Sequence, residues 1–412
     1  MGIETIGIYS YAPPSLMYGF WKSCGVNTIQ LASGAVGNDP AGREKDNAKL
    51  AEAAQSAQRE GFKAYILLLS NFSGPDMFKD LFHPTKDPAG MEKRLGKLRE
   101  TARACRGADG FLIFAGDPGG ITDEMGTGTA EDYAYLAKKF IEVIREEAPD
   151  AKINLNPWAI AAFGTPNHSP FAAGFWLQET KMTKKLLAME DLVNAEVGVE
   201  LAFHDYYRTL ALQCYDKELG EYPKWPMKPD IDALFGRGVK NIWGWPYFLL
   251  DEIDDGAGAG AGIQLETRYI FEIVKTYREM GMNGVIGNLG NATVTRQLNT
   301  YAMCRFAKDK DASPRGVIGE FAGFVASGDT AETLAEILCL IENDSNWHKK
   351  MPENRRLPPL RSAFGEASEA LAALGTLKIR GEGEAYQGFE IQGTAKGYVD
   401  LVRERLEALD KR

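Results

Sequence analysis

The chain has 412 residues, 44% of them hydrophobic and 25% charged, the make-up of an ordinary globular protein. Its formal net charge of −10 weighs against nucleic acid and anionic membranes as partners, since both select clustered Lys and Arg. No apolar run reaches the length of a membrane span and no signal-peptide pattern precedes the first strand-like segment, so the compartment stays open, whether the start is natural or trimmed at a domain edge. The five cysteines are scattered without metal-ligand spacing and read as reduced core residues.

A strand–helix alternation begins at once. Residues 3–9 read as a strand, 15–24 as a helix closed by Gly25, and 26–31 as a second strand. Asp46 can cap a helix with Leu50, Ala53, Ala54 and Ala57 on one face, ended by Gly61. Residues 62–69 form a third strand. A loop over 72–88 then leads to a helix with Met91, Leu95, Leu98, Ala102 and Cys105 at helical spacing. The apolar run from Gly110 to Phe114 is the fourth strand, stopped by Gly116-Asp117-Pro118-Gly119-Gly120. Thr129 caps the next helix with Asp132 in the reciprocal position, and Tyr133, Leu136, Phe140 and Ile144 form its buried stripe. Strands five and six fall at 151–156 and 197–203, with a long loop and a helix over 181–194 between them. A short helix over 229–235 and a seventh strand over 238–246 follow. A Gly-Ala run over 256–262, a helix carrying Tyr269, Ile273 and Tyr277, an eighth strand over 283–286 and a helix with Leu298 and Tyr301 complete the cycle.

Eight such units in about three hundred residues predict an α/β fold, a (β/α)8 (TIM) barrel over 1–310. No Gly-x-Gly-x-x-Gly follows the first strand, which removes the usual sign of a dinucleotide-binding open sheet. Beyond 310 the alternation stops. Helices over 314–326, 330–343, 360–374 and 399–409, with a hairpin or loop at 377–392, make 311–412 a smaller, mostly helical region packed on the barrel.

In a barrel the strand exits line one face, where chemistry is placed. Those exits carry Tyr9, Asn71, Asp117, Asn156, Trp158, His204, Asp205, Tyr206, Tyr207, Trp243, Trp245, Asp251, Glu252 and Asn288. Rings stack on sugar C–H faces while amides, carboxylates and His bond hydroxyls, so the set suits a carbohydrate better than a phosphate. Two carboxyl groups can cleave a glycosidic bond, one as acid and one as base or nucleophile. Asp117 is the candidate acid, with Asp205 and Asp251 or Glu252 as candidate partners. The turn-forming habit of Gly-Asp-Pro-Gly-Gly is an equal explanation of Asp117. One of Trp243 and Trp245 can be core and the other pocket wall.

The strand-four exit Phe114-Ala115-Gly116-Asp117-Pro118-Gly119-Gly120, and the segment from Asn299 through Ser313-Pro314-Arg315 to Gly328, resemble the glycoside-hydrolase barrels related to α-glucuronidases and β-N-acetylhexosaminidases. The resemblance implies an acid on strand four with bases on strands six and seven. It departs from the substrate-assisted hexosaminidases, whose strand-four acidic pair is broken here by Pro118. The expectation is a glycosidase acting on a glycan without cofactor or resident metal, its oligomeric state open. The alternatives are a metal-dependent sugar isomerase or epimerase on the same barrel, and a non-catalytic glycan-binding barrel.

Overall fold

The computed structural model of the protein describes residues 2–10, 18–32, 37–70, 72–74, 80–114, 128–156, 185, 195–199, 228–245, 267–288, 295–325, 328–343, 385–386 and 389–390. Eight strands lie parallel in chain order and close on themselves: β1 (Thr5–Ser10), β2 (Thr28–Ala32), β3 (Lys63–Leu69), β4 (Gly110–Phe114), β5 (Lys152–Asn156), β6 (Ala195–Val199), β7 (Ile242–Gly244) and β8 (Gly284–Asn288). Strand β8 returns to β1, with Gly284 opposite Thr5 and Asn288 opposite Tyr9, so the sheet has no open edge. Helices α1 (Tyr18–Cys24), α2 (Pro40–Arg59), α3 (Pro88–Ala104), α4 (Ala130–Glu147), α5 (Lys228–Gly236), α6 (Thr267–Glu279) and α7 (Thr295–Lys308) follow in sequence. The fold is a (β/α)8 barrel. Helices α8 (Pro314–Val325) and α9 (Asp329–Asn343) pack on each other, and α8 also packs on α6 and α7. Within the span read as hairpin or loop, β9 (Ala385–Tyr386) and β10 (Phe389–Glu390) pair antiparallel. The helices expected over 360–374 and 399–409 lie outside the described residues, as does the one over 181–194 except Lys185.

Local sequence explains most helix starts. Helix α4 opens with the expected reciprocal cap between Thr129 and Asp132. Helices α2 and α3 share another device: Asp39 and Asp87 accept from first-turn amides, and a proline follows each where no amide partner is needed. Asp39 therefore caps α2, and Asp46 lies inside the helix. The Asp39-Pro40 pair sets the boundary that the later apolar face alone did not reveal.

The barrel interior is filled in levels. Strands β3 and β7 stand on opposite sides, so the edge-to-face contact of Tyr65 and Trp243, centroids 5.3 Å apart, crosses the interior. Glycine makes the room: a Cβ on Gly110 would run into the Tyr65 ring and one on Gly284 into the Trp243 indole. By the two-residue period, Leu67, Leu112 and Ile286 occupy the next level, all fully buried. Replacing Gly284 with Ala is expected to cost about 1–3 kcal/mol by overpacking. In urea denaturation this appears as a lower midpoint with an unchanged m-value.

Candidate active site

Above Leu67, Leu112 and Ile286, at the carboxyl ends of the strands, sits a second aromatic level. Trp245, the residue after β7, lies 5.2 Å from the ring of Tyr9 near the end of β1 and 5.2 Å from Phe114 at the end of β4. Its indole Nε1 donates to Oε1 of Gln30 on β2 at 2.8 Å. Asn156 ends β5 opposite Phe114 and is fully buried, and its carbonyl accepts from the Tyr133 hydroxyl at 3.0 Å. Tyr9, Asn156 and Trp245 therefore share the end of the barrel where sequence reasoning put them. Trp243 does not belong with them. It faces the same way as Trp245 but two residues deeper, against Tyr65, in the middle of the barrel; both indoles are buried. Asn288 pairs with Tyr9 through the backbone; its side chain lies outside the description, as do Asn71, Asp117, Trp158, His204, Asp205, Tyr206, Tyr207, Asp251 and Glu252.

One side of this mouth is tied down by buried cations that sequence reasoning missed. Arg43 grips Glu100 of α3 through two hydrogen bonds of 2.7 and 2.9 Å, and its Nη1 donates to the carbonyls of Gly37 and Asn38. Lys97 Nζ donates to the Ser73 carbonyl at 2.7 Å and to Asn38 Oδ1 at 3.1 Å. Arg94 Nη2 donates to the carbonyl of Leu69 at 2.7 Å, and its guanidinium lies over the Phe140 ring. Segments beyond β2 and β3 are thus held together from α2 and α3. Burial pushes the Lys97 ammonium down to about 8, helped by Lys93, Arg43 and Arg94, and burial alone pushes Arg94 down to about 10. The available signal was positional: Arg94 and Lys97 share the inward period of α3 with Met91 and Leu98.

The amino-terminal end of the barrel carries an acid that no strand-exit reading would select. Glu196 of β6 is buried; its Oε1 accepts from Asn241 Nδ2 at 3.2 Å and faces Lys152 Nζ at 3.5 Å. Burial raises its carboxyl above the ordinary value, against the opposing pull of Tyr65 and Lys152. The Tyr65 phenol is raised in turn, first by burial and then by Glu196. Tyr65 also lines a cleft of about 420 Å³ with Lys63, Arg106, Asp109, Asp150 and Lys152. A groove of about 680 Å³ lies elsewhere, on the outer flank between α3 and α4, lined by Met91, Leu95, Arg99 and Tyr135. Neither opens at the strand exits, and the amino-terminal face of a barrel serves stability. Glu196 thus favours the folded state most at low pH. That contribution is complete below the ordinary glutamate pKa and is lost as pH rises through the raised one. Glu196→Gln should remove the loss of stability that this carboxyl causes as pH rises above the ordinary glutamate pKa, as followed by thermal melts from acid to neutral pH.

No protein-family model and no curated protein matches the chain. Solved structures do. The O-GlcNAc hydrolase of Thermobaculum terrenum aligns with a TM-score of 0.51 over 99% of this chain and 83% of its own, at 11% identity. CpGH84D aligns at 0.49 over 99% of this chain with 12% identity, and the chain spans only 64% of that protein's length. A sugar phosphate isomerase/epimerase from Parabacteroides distasonis aligns at 0.40 over 74% of this chain and 94% of its own, at 10% identity. At such identities the likeness is one of fold: glycoside hydrolases recur among the similar barrels, with sugar isomerases or epimerases beside them.

Proposed function

We propose that the protein is a glycoside hydrolase that takes a glycan or oligosaccharide at the carboxyl ends of the barrel strands. The observation that carries this reading is the aromatic level of Tyr9, Phe114 and Trp245 at that end. These rings are buried, 4%, 3% and 1% exposed, and support from beneath the strand-exit face on which a pyranose ring would be held. Just beyond the strand ends the chain supplies carboxyl groups: Asp117 three residues after Phe114, Asp205 after β6, and Asp251 and Glu252 after β7. Asp117 acts as the general acid, giving its proton to the departing glycosidic oxygen. Asp205, or one of Asp251 and Glu252, supplies the ionised carboxylate, which attacks the anomeric carbon or takes a proton from the water that does. Asn71, Trp158, His204, Tyr206, Tyr207 and Asn288 contribute hydroxyl contacts and ring walls, Asn156 lies buried beneath them, and the chemistry calls on no cofactor. Residues 1–310 form the catalytic barrel, and 311–412 the region packed on it.

Asp117→Asn and Asp205→Asn should each lose most turnover toward whichever glycan the wild-type protein cleaves in a reducing-sugar release panel. Both should melt at the wild-type temperature. Wild-type rates from both variants would refute the assignment, and interconversion of free sugars that needs an added divalent cation would move the chemistry to isomerisation.

A further inference from the structure

The indole of Trp245 has one polar atom, and the barrel holds it from below. Gln30 is 1% exposed on β2 and stands in register between Tyr9 of β1 and Tyr65 of β3. Its Oε1 accepts from Trp245 Nε1 at 2.8 Å, across the interior from β2 to the end of β7. Tyr9 and Phe114 flank the same indole at 5.2 Å each, and Trp245 is 1% exposed. Turned over, it would leave a buried N–H without a partner, which disfavours that state by roughly fivefold or more in population. We infer that Gln30 is a positioning residue: it fixes the orientation of Trp245 and, through it, the buried three-ring floor that supports the sugar site from beneath.

The inference rests on the glycosidase reading for its ligand, but the hydrogen bond is independent of it. It also limits what the floor can recognise. With the rings buried and Nε1 turned into the barrel, the floor supports the site from beneath and offers a sugar hydroxyl no donor. Discrimination between hydroxyl epimers then falls to residues beyond the strand ends.

Gln30→Met keeps the volume and loses the amide acceptor, Gln30→Glu keeps an oxygen in place, and Trp245→Phe removes the N–H. Protein labelled with 5-fluorotryptophan gives a fluorine resonance for Trp245, assigned by its absence in Trp245→Phe. The probes are p-nitrophenyl glycosides of glucose, galactose, N-acetylglucosamine and glucuronic acid for turnover, and the matching free sugars for the resonance. We expect Gln30→Met to move the resonance and raise KM about fivefold or more with a smaller change in kcat. Gln30→Glu should restore both. In the Trp245→Phe background, Gln30→Met should add nothing, because no N–H remains to be satisfied. A free sugar of the cleaved kind should shift the wild-type resonance.

An equal KM penalty with and without the indole overturns the inference, as does an unmoved resonance in Gln30→Met. Turnover of a glycoside whose free sugar leaves the resonance still removes the floor while leaving the hydrolase. A resonance that answers to a sugar when no glycoside is cleaved removes the hydrolase while leaving the floor. Silence in both assays removes both. If Gln30→Glu fails to fold, the comparison in the two backgrounds still decides.

Discussion

An eight-stranded barrel encloses a fixed volume, and a large ring placed inside needs a missing side chain beside it on the neighbouring strand. Gly110 and Gly284 meet that requirement at the level of Tyr65 and Trp243. Two bulky rings then plug the amino-terminal half, and Leu67, Leu112 and Ile286 carry the packing upward. On this support Tyr9, Phe114 and Trp245 pack as a buried layer at the other end. The site therefore depends on glycines far from any chemistry, and a methyl group added to one of them is felt through the stack.

The interior is less apolar than a barrel needs for stability alone. Gln30, Asn154, Asn156 and Glu196 are all buried there. Gln30 has a clear task in holding an indole. Both polar atoms of Asn154, Oε2 of Glu196 and Nε1 of Trp243 find no hydrogen-bond partner among the described residues. Each such atom costs roughly 1–3 kcal/mol. The amino-terminal half of the interior is thus the place where this fold has most to gain from substitution.

Much of the architecture was legible because local rules and global fold agree. The Gly110 to Phe114 run, the Thr129–Asp132 cap and the inward stripe of α4 were readable from period and capping chemistry alone. Depth within the barrel was not. Trp243 and Trp245 share a face by alternation and both are buried, yet one sits in the middle of the barrel and the other at its carboxyl end, and only the stagger of the strands decides which. The start of α2 was misread because Asp46 and Asp39 are both competent caps and the proline after Asp39 breaks the tie. Arg43, Arg94 and Lys97 escaped notice because charge suggests solvent, whereas here backbone carbonyls take the place of water. Gln30 did carry a signal, as a lone amide among the apolar residues of β2.

The pairing of β1 with β8 has a consequence for how the molecule is made. Thr5 and Gly284 are register partners separated by about 280 positions along the chain. During synthesis β1 must wait, with its pairing groups unsatisfied, until the ribosome has delivered the last strand. Contacts of such long range form slowly, and an uncovered strand edge is the usual template for association between chains. For this protein the vulnerable interval lies before closure, and chaperone demand should fall on the nascent half-barrel more than on the finished fold.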